Sequence, residues 1–283
     1  MIKPFFAGKF YPESFAELEE SLEESFEGKL GPGDSPMKRK DLSIKGVLVP
    51  HSGYQFSGYC AAWAYKLIGE RRFAKTYVII ALDHYGKFSK ISTTLKDFET
   101  VFGVVKINKE FAQHLIDSGL VDNVDDVKEH SLEVQLPFLQ YSCKDRVNDL
   151  QVLPLIVPDV ESVKEIVGLI VGYSKDIVVI VSSDMTHFGE DFNYVPFKFS
   201  VMKSVKEQDM MALDFISKLD SNGFLKFVNN KGITICGKNT IFFGIELFKL
   251  LDVSKIELLS YYNSSDLVKN EKNFVCYASM VFV

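Results

Sequence analysis

The sequence predicts a single α/β domain in which helices cover both faces of a mostly parallel β-sheet. Short, almost uninterrupted apolar runs of strand length recur along the chain, as is typical of strands buried on both faces. Segments with helical spacing of apolar residues alternate with these runs. No internal repeat, low-complexity tract or linker follows residue 44. We therefore expect residues 1–283 to form one domain.

A βαβ unit near the start of the chain sets the strand direction. The run 44–50 predicts a buried strand, 58–68 a helix and 75–83 a second buried strand. Two strands joined through a helix in this way run parallel. The remaining helices are expected at 12–26, 109–119, 160–172 and 240–251, with a helix that has a proline kink or break at 131–142 and a long amphipathic stretch at roughly 197–219. Further strands are expected at 151–158, 176–184 and 273–283, and a strand followed by a turn at 255–266.

Composition narrows the class of protein. Hydrophobic residues make up 47% of the chain and charged residues 25%, which is ordinary for a globular protein. The net charge of −6 argues against nucleic acid as the main partner, and the basic cluster 38–40 is expected to be a solvated loop. No apolar run is long enough to span a membrane, and the start lacks the apolar stretch of a signal peptide. Four scattered cysteines without CxxC pairing indicate a reducing cytoplasm and no disulfide framework.

Three histidines follow three predicted parallel strands. "VLVPH" ends in His51, "VIIALDH" in His84 and "VVIVSSDMTH" in His187, with Asp184 three residues before the last of these. The carboxyl ends of parallel strands share one edge of the sheet, where ligands bind. Although a single histidine after a strand is usually an ordinary loop residue, three such placements favour a shared site. His114 lies within an amphipathic helix and is expected to be structural.

Cys236 stands immediately before the predicted helix at 240–251. A thiol at a helix N-terminus tends towards thiolate, which is both a nucleophile and a metal ligand. Spacing alone leaves open whether Cys236 is a ligand or a buried apolar residue. Cys60, Cys143 and Cys276 are expected to be inert thiols, mostly in the core.

These residue types suit a metal site with an acid–base group beside it. Two neutral imidazoles and one thiolate or carboxylate bind zinc, iron or copper. His187 can stay outside the coordination sphere and move protons, with Asp184 holding its ring in one tautomer. The alternative for Asp184 is a capping role in a turn. His130 either begins a helix or faces the pocket.

Seven segments together resemble the Memo family, which includes the prokaryotic proteins called AmmeMemoRadiSam system protein B. They extend over essentially the whole chain and read "FFAGKFYP" (5–12), "PHSGYQFSG" (50–58), "EHSLEVQLPFL" (129–139), "SSDMTHFG" (182–189), "ICGKNTI" (235–241), "YYNSSD" (261–266) and "CYASMVF" (276–282). That family is similar in fold to the catalytic subunits of class III extradiol dioxygenases, which are non-haem iron enzymes. The resemblance implies an α/β/α sandwich.

The resemblance also implies a site. It places His51, His84 and Cys236 at the metal-ligand positions and His187 at the position of the catalytic base. Substrate-binding residues are expected in the matching segments, and these are Ser52, Gly53, Tyr54, Glu129 and His130. Two departures bear on the chemistry. Cys236 replaces the carboxylate ligand of the dioxygenases, so ring cleavage does not simply carry over, and Asp83 precedes His84 where a small or amide residue is expected.

Three functions are compatible with these features. The first is a metal-dependent redox enzyme that holds iron or copper and acts on a small substrate or dioxygen. The second is a phosphopeptide- or protein-binding module, as implied by a vertebrate member of the family that binds phosphotyrosine peptides. The third is a metal-free thiol hydrolase with Cys236 as nucleophile and His187 as base. The family resemblance further implies radical-SAM and AMMECR-like proteins as partners.

Overall fold

The computed structural model describes all residues 1–283. The strands are β1 (Gly46–Val49), β2 (Thr76–Leu82), β3 (Ser92–Thr93), β4 (Phe98–Thr100), β5 (Gly103–Ile107), β6 (Asp122–Asn123), β7 (Gln151–Val157), β8 (Ile177–Ser182), β9 (His187–Phe188), β10 (Ile256–Asn263) and β11 (Phe274–Phe282). The helices are α1 (Phe15–Glu27), α2 (Tyr54–Glu70), α3 (Lys109–Asp117), α4 (His130–Glu133), α5 (Gln135–Ser142), α6 (Val163–Tyr173), α7 (Val201–Ser217), α8 (Ser221–Lys231), α9 (Lys238–Leu250) and α10 (Ser265–Val268). Two short 3₁₀ turns lie at Lys144–Asp149 and Glu190–Phe192.

The strands form one mixed sheet with the order β10-β11-β1-β8-β2-β7-β3-β6. Its centre, β1-β8-β2-β7, is parallel throughout. On one side β11 pairs antiparallel with β1, and β10 pairs antiparallel with β11. Because β8 lies between β1 and β2, the first βαβ unit is parallel as predicted, but its two strands are not neighbours.

Helices pack on both faces of the sheet. Helices α1, α2 and α5 cover one face, where α2 lies against β1, β10 and β11. Helices α3, α6 and α9 cover the other face, and α8 packs onto α9. Of the central strands, β1, β2 and β8 are buried over their full length and β7 everywhere except its first residue, which explains why they read as nearly continuous apolar runs. The predicted α/β class and the α/β/α sandwich are therefore confirmed.

Several predicted bounds differ from the structure for local reasons. Helix α2 starts at Tyr54, four residues earlier than expected, because Gly53 caps it directly after the loop that leaves β1. The stretch 131–142 is two helices that meet at Val134. Pro137 lies in the first turn of α5, where a missing N–H is tolerated, so the break precedes the proline. Helix α8 was not anticipated.

The loop before β1 is more firmly attached than its composition indicates. Arg39 was expected in a solvated cluster, but only 16% of its side chain is exposed. Its guanidinium donates to both carboxylate oxygens of Asp145 and to the carbonyl oxygens of Ile68 and Arg71. A planar donor with five N–H groups can satisfy several acceptors at once, which is how one arginine holds this loop.

Candidate metal centre

The carboxyl ends of three adjacent parallel strands meet at one edge of the sheet. The loop after β1 carries His51, the loop after β8 carries Asp184 and His187, and the loop after β2 carries His84. Cys236 reaches the same edge from the turn that precedes α9. The predicted convergence of side chains from separate strands is therefore present.

Three potential ligand atoms lie together. The ring nitrogens of His51 and His84 and the Sγ atom of Cys236 all lie within 4.8 Å of one another. Cys236 Sγ is 3.2 Å from His51 Nε2, and the ring centroids of His51 and His84 are 5.1 Å apart. Cys236 thus faces the histidines instead of being walled off in the core.

The protonation pattern of His51 follows from its neighbours. His51 Nδ1 lies 2.9 Å from Ser182 Oγ, whose proton is donated to the carbonyl oxygen of Ser131. Ser182 must therefore accept from His51 Nδ1–H, which leaves the lone pair on Nε2, the atom that faces Cys236. Burial and the neighbouring imidazoles of His84 and His130 lower the pKa of His51 well below its usual value. This ring is neutral and presents Nε2 as a ligand.

His84 is oriented by Glu129. The carboxylate accepts from His84 Nδ1 at 2.7 Å and from the backbone N–H of His84 at 2.9 Å. It also accepts from the N–H and the hydroxyl of Ser131. The interaction fixes the tautomer of His84 with its lone pair on Nε2. Glu129 was expected to contact substrate, but its oxygens are engaged in holding His84.

His187 is held by main-chain carbonyl groups. Its Nδ1 lies 3.0 Å from the carbonyl oxygen of Thr234 and 3.1 Å from that of Met185. Since a carbonyl can only accept, Nδ1 carries the proton and Nε2 the lone pair. The hydroxyl of Thr234 also accepts from the His187 N–H and donates to the His187 carbonyl oxygen. Thr234, which no sequence pattern indicated, therefore positions this ring.

Asp184 does not form the expected hydrogen bond with His187. Its carboxylate accepts from the backbone N–H of His51 at 2.8 Å and from the Ser52 hydroxyl at 2.5 Å. Asp184, His187 and Cys236 still place ligand atoms within 4.8 Å of one another. The buried carboxylate thus fixes the loop that carries His51, and it does not set the tautomer of His187.

Cys236 lies just outside the first turn of α9, which Gly237 caps. The macrodipole argument predicts a thiolate, yet burial and the negative charge of Asp184 raise the pKa of the Cys236 thiol. In the protein alone the thiol is therefore protonated at neutral pH, and desolvation outweighs the helix terminus. A coordinating metal would reverse this balance, because it deprotonates a ligating thiol.

His130 takes both of the roles left open for it, because it is the first residue of α4 and its ring also faces the centre. Its ring lies 4.2 Å from the ring of His84 and stacks at 4.5 Å on Phe10 from the N-terminal segment. Its Nδ1 is buried and makes no hydrogen bond. Burial and the neighbouring His84 lower the pKa of His130 to about 4, so this ring is neutral as well.

The three remaining residues expected to bind substrate are Ser52, Gly53 and Tyr54, and the side chains of Ser52 and Tyr54 already form hydrogen bonds within the protein. The Tyr54 side chain is buried and donates its hydroxyl proton to the Val134 carbonyl, so it supports α2. Gly53 caps α2, and Ser52 donates to Asp184. The backbone N–H groups of His51 and Tyr54 are already bonded to Asp184 and Phe10, which leaves little of a backbone cradle for a phosphate.

The donor set fits a transition metal. His51 and His84 each have Nδ1 engaged by a protein acceptor and Nε2 free to ligate, and Cys236 supplies sulfur. Imidazole and thiolate together suit iron, copper and zinc better than magnesium or calcium. Asp83 forms no part of this set, since its carboxylate accepts the N–H groups of Lys87 and Phe88.

Two other surface clefts lie at the opposite edge of the sheet. One of about 530 Å³ is lined by residues such as Lys75 and Gln151, and another of about 250 Å³ by Lys45 and Asp176. These residues precede or begin the central strands, whereas the histidines follow them. Neither cleft contains the donor set, and no helix combines the length and apolar character needed to cross a membrane.

Comparison with known proteins agrees with the resemblance seen in the sequence. Residues 3–281 match the family described as Memo-like protein. A MEMO1 family protein of Pyrococcus abyssi is 35% identical over 292 residues, covering 98% of this chain and 98% of that protein. One from Methanopyrus kandleri is 34% identical over 290 residues, covering 99% of this chain and 98% of that protein.

Among solved structures, an uncharacterized protein of Escherichia coli K12 shares the fold. It aligns with a TM-score of 0.51 and 10% sequence identity, covering 84% of this chain and 99% of that chain. At this identity the likeness concerns the fold alone. The family match covers nearly the whole chain, and the relatives align over almost their full lengths. The chain is therefore a member of the Memo-like protein family.

Proposed function

We propose that this chain binds a transition metal, iron or copper, through His51, His84 and Cys236, and that the metal serves redox or oxygen-dependent chemistry on a small substrate. One observation carries the proposal: the three ligand atoms lie within 4.8 Å of one another. The orientation of both imidazoles supports it, because Ser182 and Glu129 hold the Nδ1 atoms and leave Nε2 free.

In this proposal the metal, His187 and Asp184 have separate roles. A bound iron or copper ion supplies electron transfer and polarisation of its ligands. His187 keeps its Nδ1 proton on the Thr234 carbonyl, so Nε2 can take a proton from a substrate beside Cys236 and return it. Asp184 keeps the loop of His51 in place through the His51 N–H.

Metal content of the purified protein tests this proposal. Protein prepared anaerobically with iron and copper supplied should contain about one equivalent of iron or copper by mass spectrometry. His51→Ala and Cys236→Ala should each lose most of it. His114→Ala is the matched control, because His114 lies on α3 beside Tyr173, away from the site, and should retain the metal. Absence of stoichiometric metal, or equal content in all variants, would refute the site, and zinc alone would refute the redox function.

A second candidate function is thiol catalysis without a metal. The 3.2 Å contact between Cys236 Sγ and His51 Nε2 favours it and makes His51 the adjacent base, in place of the His187 expected from the sequence. The raised pKa of Cys236 weighs against it. If it holds, iodoacetamide near neutral pH should alkylate Cys236 rapidly, and His51→Ala should slow the reaction. Labelling of Cys236 as slow as that of the buried Cys60 would exclude a reactive thiol.

A further inference from the structure

A cleft of about 420 Å³ lies beside the candidate metal centre. The N-terminal segment, the start of α2 and the segment from α10 into β11 enclose it. Its lining residues are Lys9, Phe10, Ser52, Gly53, Gln55, Phe56, Ser264, Val268, Asn270, Asn273, Val275 and Tyr277. We propose that this cleft binds a small organic ligand through its carboxylate groups.

Two amide side chains in the cleft have their oxygens bonded to backbone N–H groups and their Nδ2 groups free to donate. Asn270 Oδ1 accepts from the N–H groups of Lys272 and Asn273 at 3.2 and 3.3 Å. Asn273 Oδ1 accepts from the N–H of Asp191 at 3.1 Å. These contacts fix which end of each amide is oxygen, and both Nδ2 groups make no hydrogen bond within the protein. A ligand rich in acceptors satisfies them.

Charge in the cleft also favours an anion. Lys9 contributes an ammonium group that forms no ion pair in the chain, and no Asp or Glu lines the cleft. The chain as a whole carries a net charge of −6, so a cleft lined by a lysine and by no acidic residue is more positive than the average of the protein. An ammonium group beside several N–H donors attracts and orients a carboxylate.

Hydroxyl groups and apolar side chains also line the cleft, as expected for a site that binds an organic molecule. Ser264 Oγ accepts from the Val275 N–H at 3.1 Å and lies beside the Tyr277 hydroxyl, so this pair of hydroxyl groups retains one proton to donate. Phe10, Phe56 and Val275 form apolar walls. A water molecule occupies roughly 30 Å³ of liquid, so the cleft holds far more than a bare ion. The combination of donors and apolar walls matches a carboxylic acid with a carbon skeleton.

The cleft is contiguous with the centre but does not depend on a metal. Phe10 lines the cleft and stacks on His130, and Ser52 lines it and donates to Asp184, which holds the His51 N–H. A bound acid would therefore lie one residue layer from His51. Its recognition uses Lys9 and the amide donors, none of which belongs to the metal-ligand set.

Binding of succinate to the metal-free protein tests the proposal, with NMR to locate it and calorimetry to measure it. Asn273→Asp keeps the acceptor for the Asp191 N–H but replaces the donors by a negative charge, so it should weaken succinate binding at least tenfold. Asn229→Asp adds the same charge on α8, outside the cleft, and should bind as the wild type does. The exposed change Lys9→Gln should weaken binding several-fold and does not depend on how Asn273→Asp folds.

Two comparison ligands, succinamide and inorganic phosphate, test whether the cleft recognises the carboxylate groups of succinate. Succinamide, which has the same skeleton without charge, should bind much more weakly, and inorganic phosphate should bind less tightly than succinate. No saturable succinate binding, or equal affinity in Asn273→Asp and Asn229→Asp, would overturn the proposal. Equal affinity for phosphate or for succinamide would overturn the carboxylate assignment. Because these measurements use metal-free protein, failure here leaves the metal analysis unaffected.

Discussion

The Glu129 carboxylate accepts two hydrogen bonds from His84, one from the ring Nδ1 at 2.7 Å and one from the backbone N–H at 2.9 Å. Burial alone raises the pKa of Glu129, but the hydrogen bonds that its carboxylate accepts from His84 and Ser131 oppose it, and this pKa falls to about 2. An ionised, buried carboxylate therefore holds an imidazole at the edge of the candidate centre. Such a partner both orients a metal-ligating histidine and increases its basicity.

Glu129→Gln should weaken metal binding by about 10–100-fold, because a glutamine amide lacks one of the two acceptors that His84 uses. Competition with a chelator measures the affinity. Glu133→Gln is the matched control, since Glu133 lies one turn further on and accepts from the N–H groups of Phe5 and Phe6 and from Tyr11. Equal affinities in the two variants would show that Glu129 does not support a ligand.

Ser182→Ala should destabilise the protein by roughly 1–3 kcal/mol, because it leaves buried donors without an acceptor. Ser182 Oγ accepts from His51 Nδ1 and Gln135 Nε2, and it donates to the Ser131 carbonyl. Ser142→Ala is the comparison, as the buried Ser142 hydroxyl has no partner and its removal should be neutral or stabilising. Urea unfolding of both variants measures the difference, and similar losses would contradict the role of Ser182.

Gly237→Ala should destabilise the protein and displace Cys236. A Cβ atom there would lie 2.4 Å from both Cβ and Oγ of Ser183 and 2.6 Å from Thr240 Oγ1, far inside normal contact distance. In Gly168→Ala, the new Cβ would meet nothing within 4 Å, and the change should stabilise α6 by roughly 0.5–1 kcal/mol. Thermal unfolding compares the two substitutions, and metal content of Gly237→Ala reports on the position of Cys236. A harmless Gly237→Ala would show that this turn can relax.

Deprotonation of the Asp209 carboxyl group should lower the free energy of unfolding as the pH rises from about 4 to above 6. Asp209 is fully buried, accepts from Thr186 and Tyr261, and burial raises its pKa to about 6. The folded state therefore binds this proton more tightly than the unfolded state. The stabilisation is complete below the usual pKa of 3.8, and on the order of 3 kcal/mol is lost as the pH passes 6.

Asp209→Asn removes this titration, so its free energy of unfolding relative to the wild type should increase between pH 5 and pH 8. Chemical denaturation at both pH values measures the change. The neighbours Tyr261 and Cys276 stay protonated in this range because burial raises their pKa values. Parallel stability profiles for the two proteins would contradict the buried, titrating carboxyl.

The fold and the location of the centre were accessible from the sequence because both depend on local patterns. A strand buried on both faces must be almost wholly apolar, and parallel strands must place their carboxyl ends at one edge. The histidines that follow β1, β2 and β8 are therefore directed to a shared region whatever the details of packing. The preceding apolar runs made His51, His84 and His187 recognisable.

The partners of these histidines were decided only by the tertiary structure. Nothing in sequence spacing connects Glu129 to His84, Thr234 to His187 or Ser182 to His51, because these contacts join segments 45 to 131 residues apart. Asp184 stands three residues from His187 and yet bonds to the loop of His51. Burial likewise reversed the expected acidity of Cys236. Hydrogen-bond partners and desolvation depend on which segments meet in space, and local sequence patterns do not specify that.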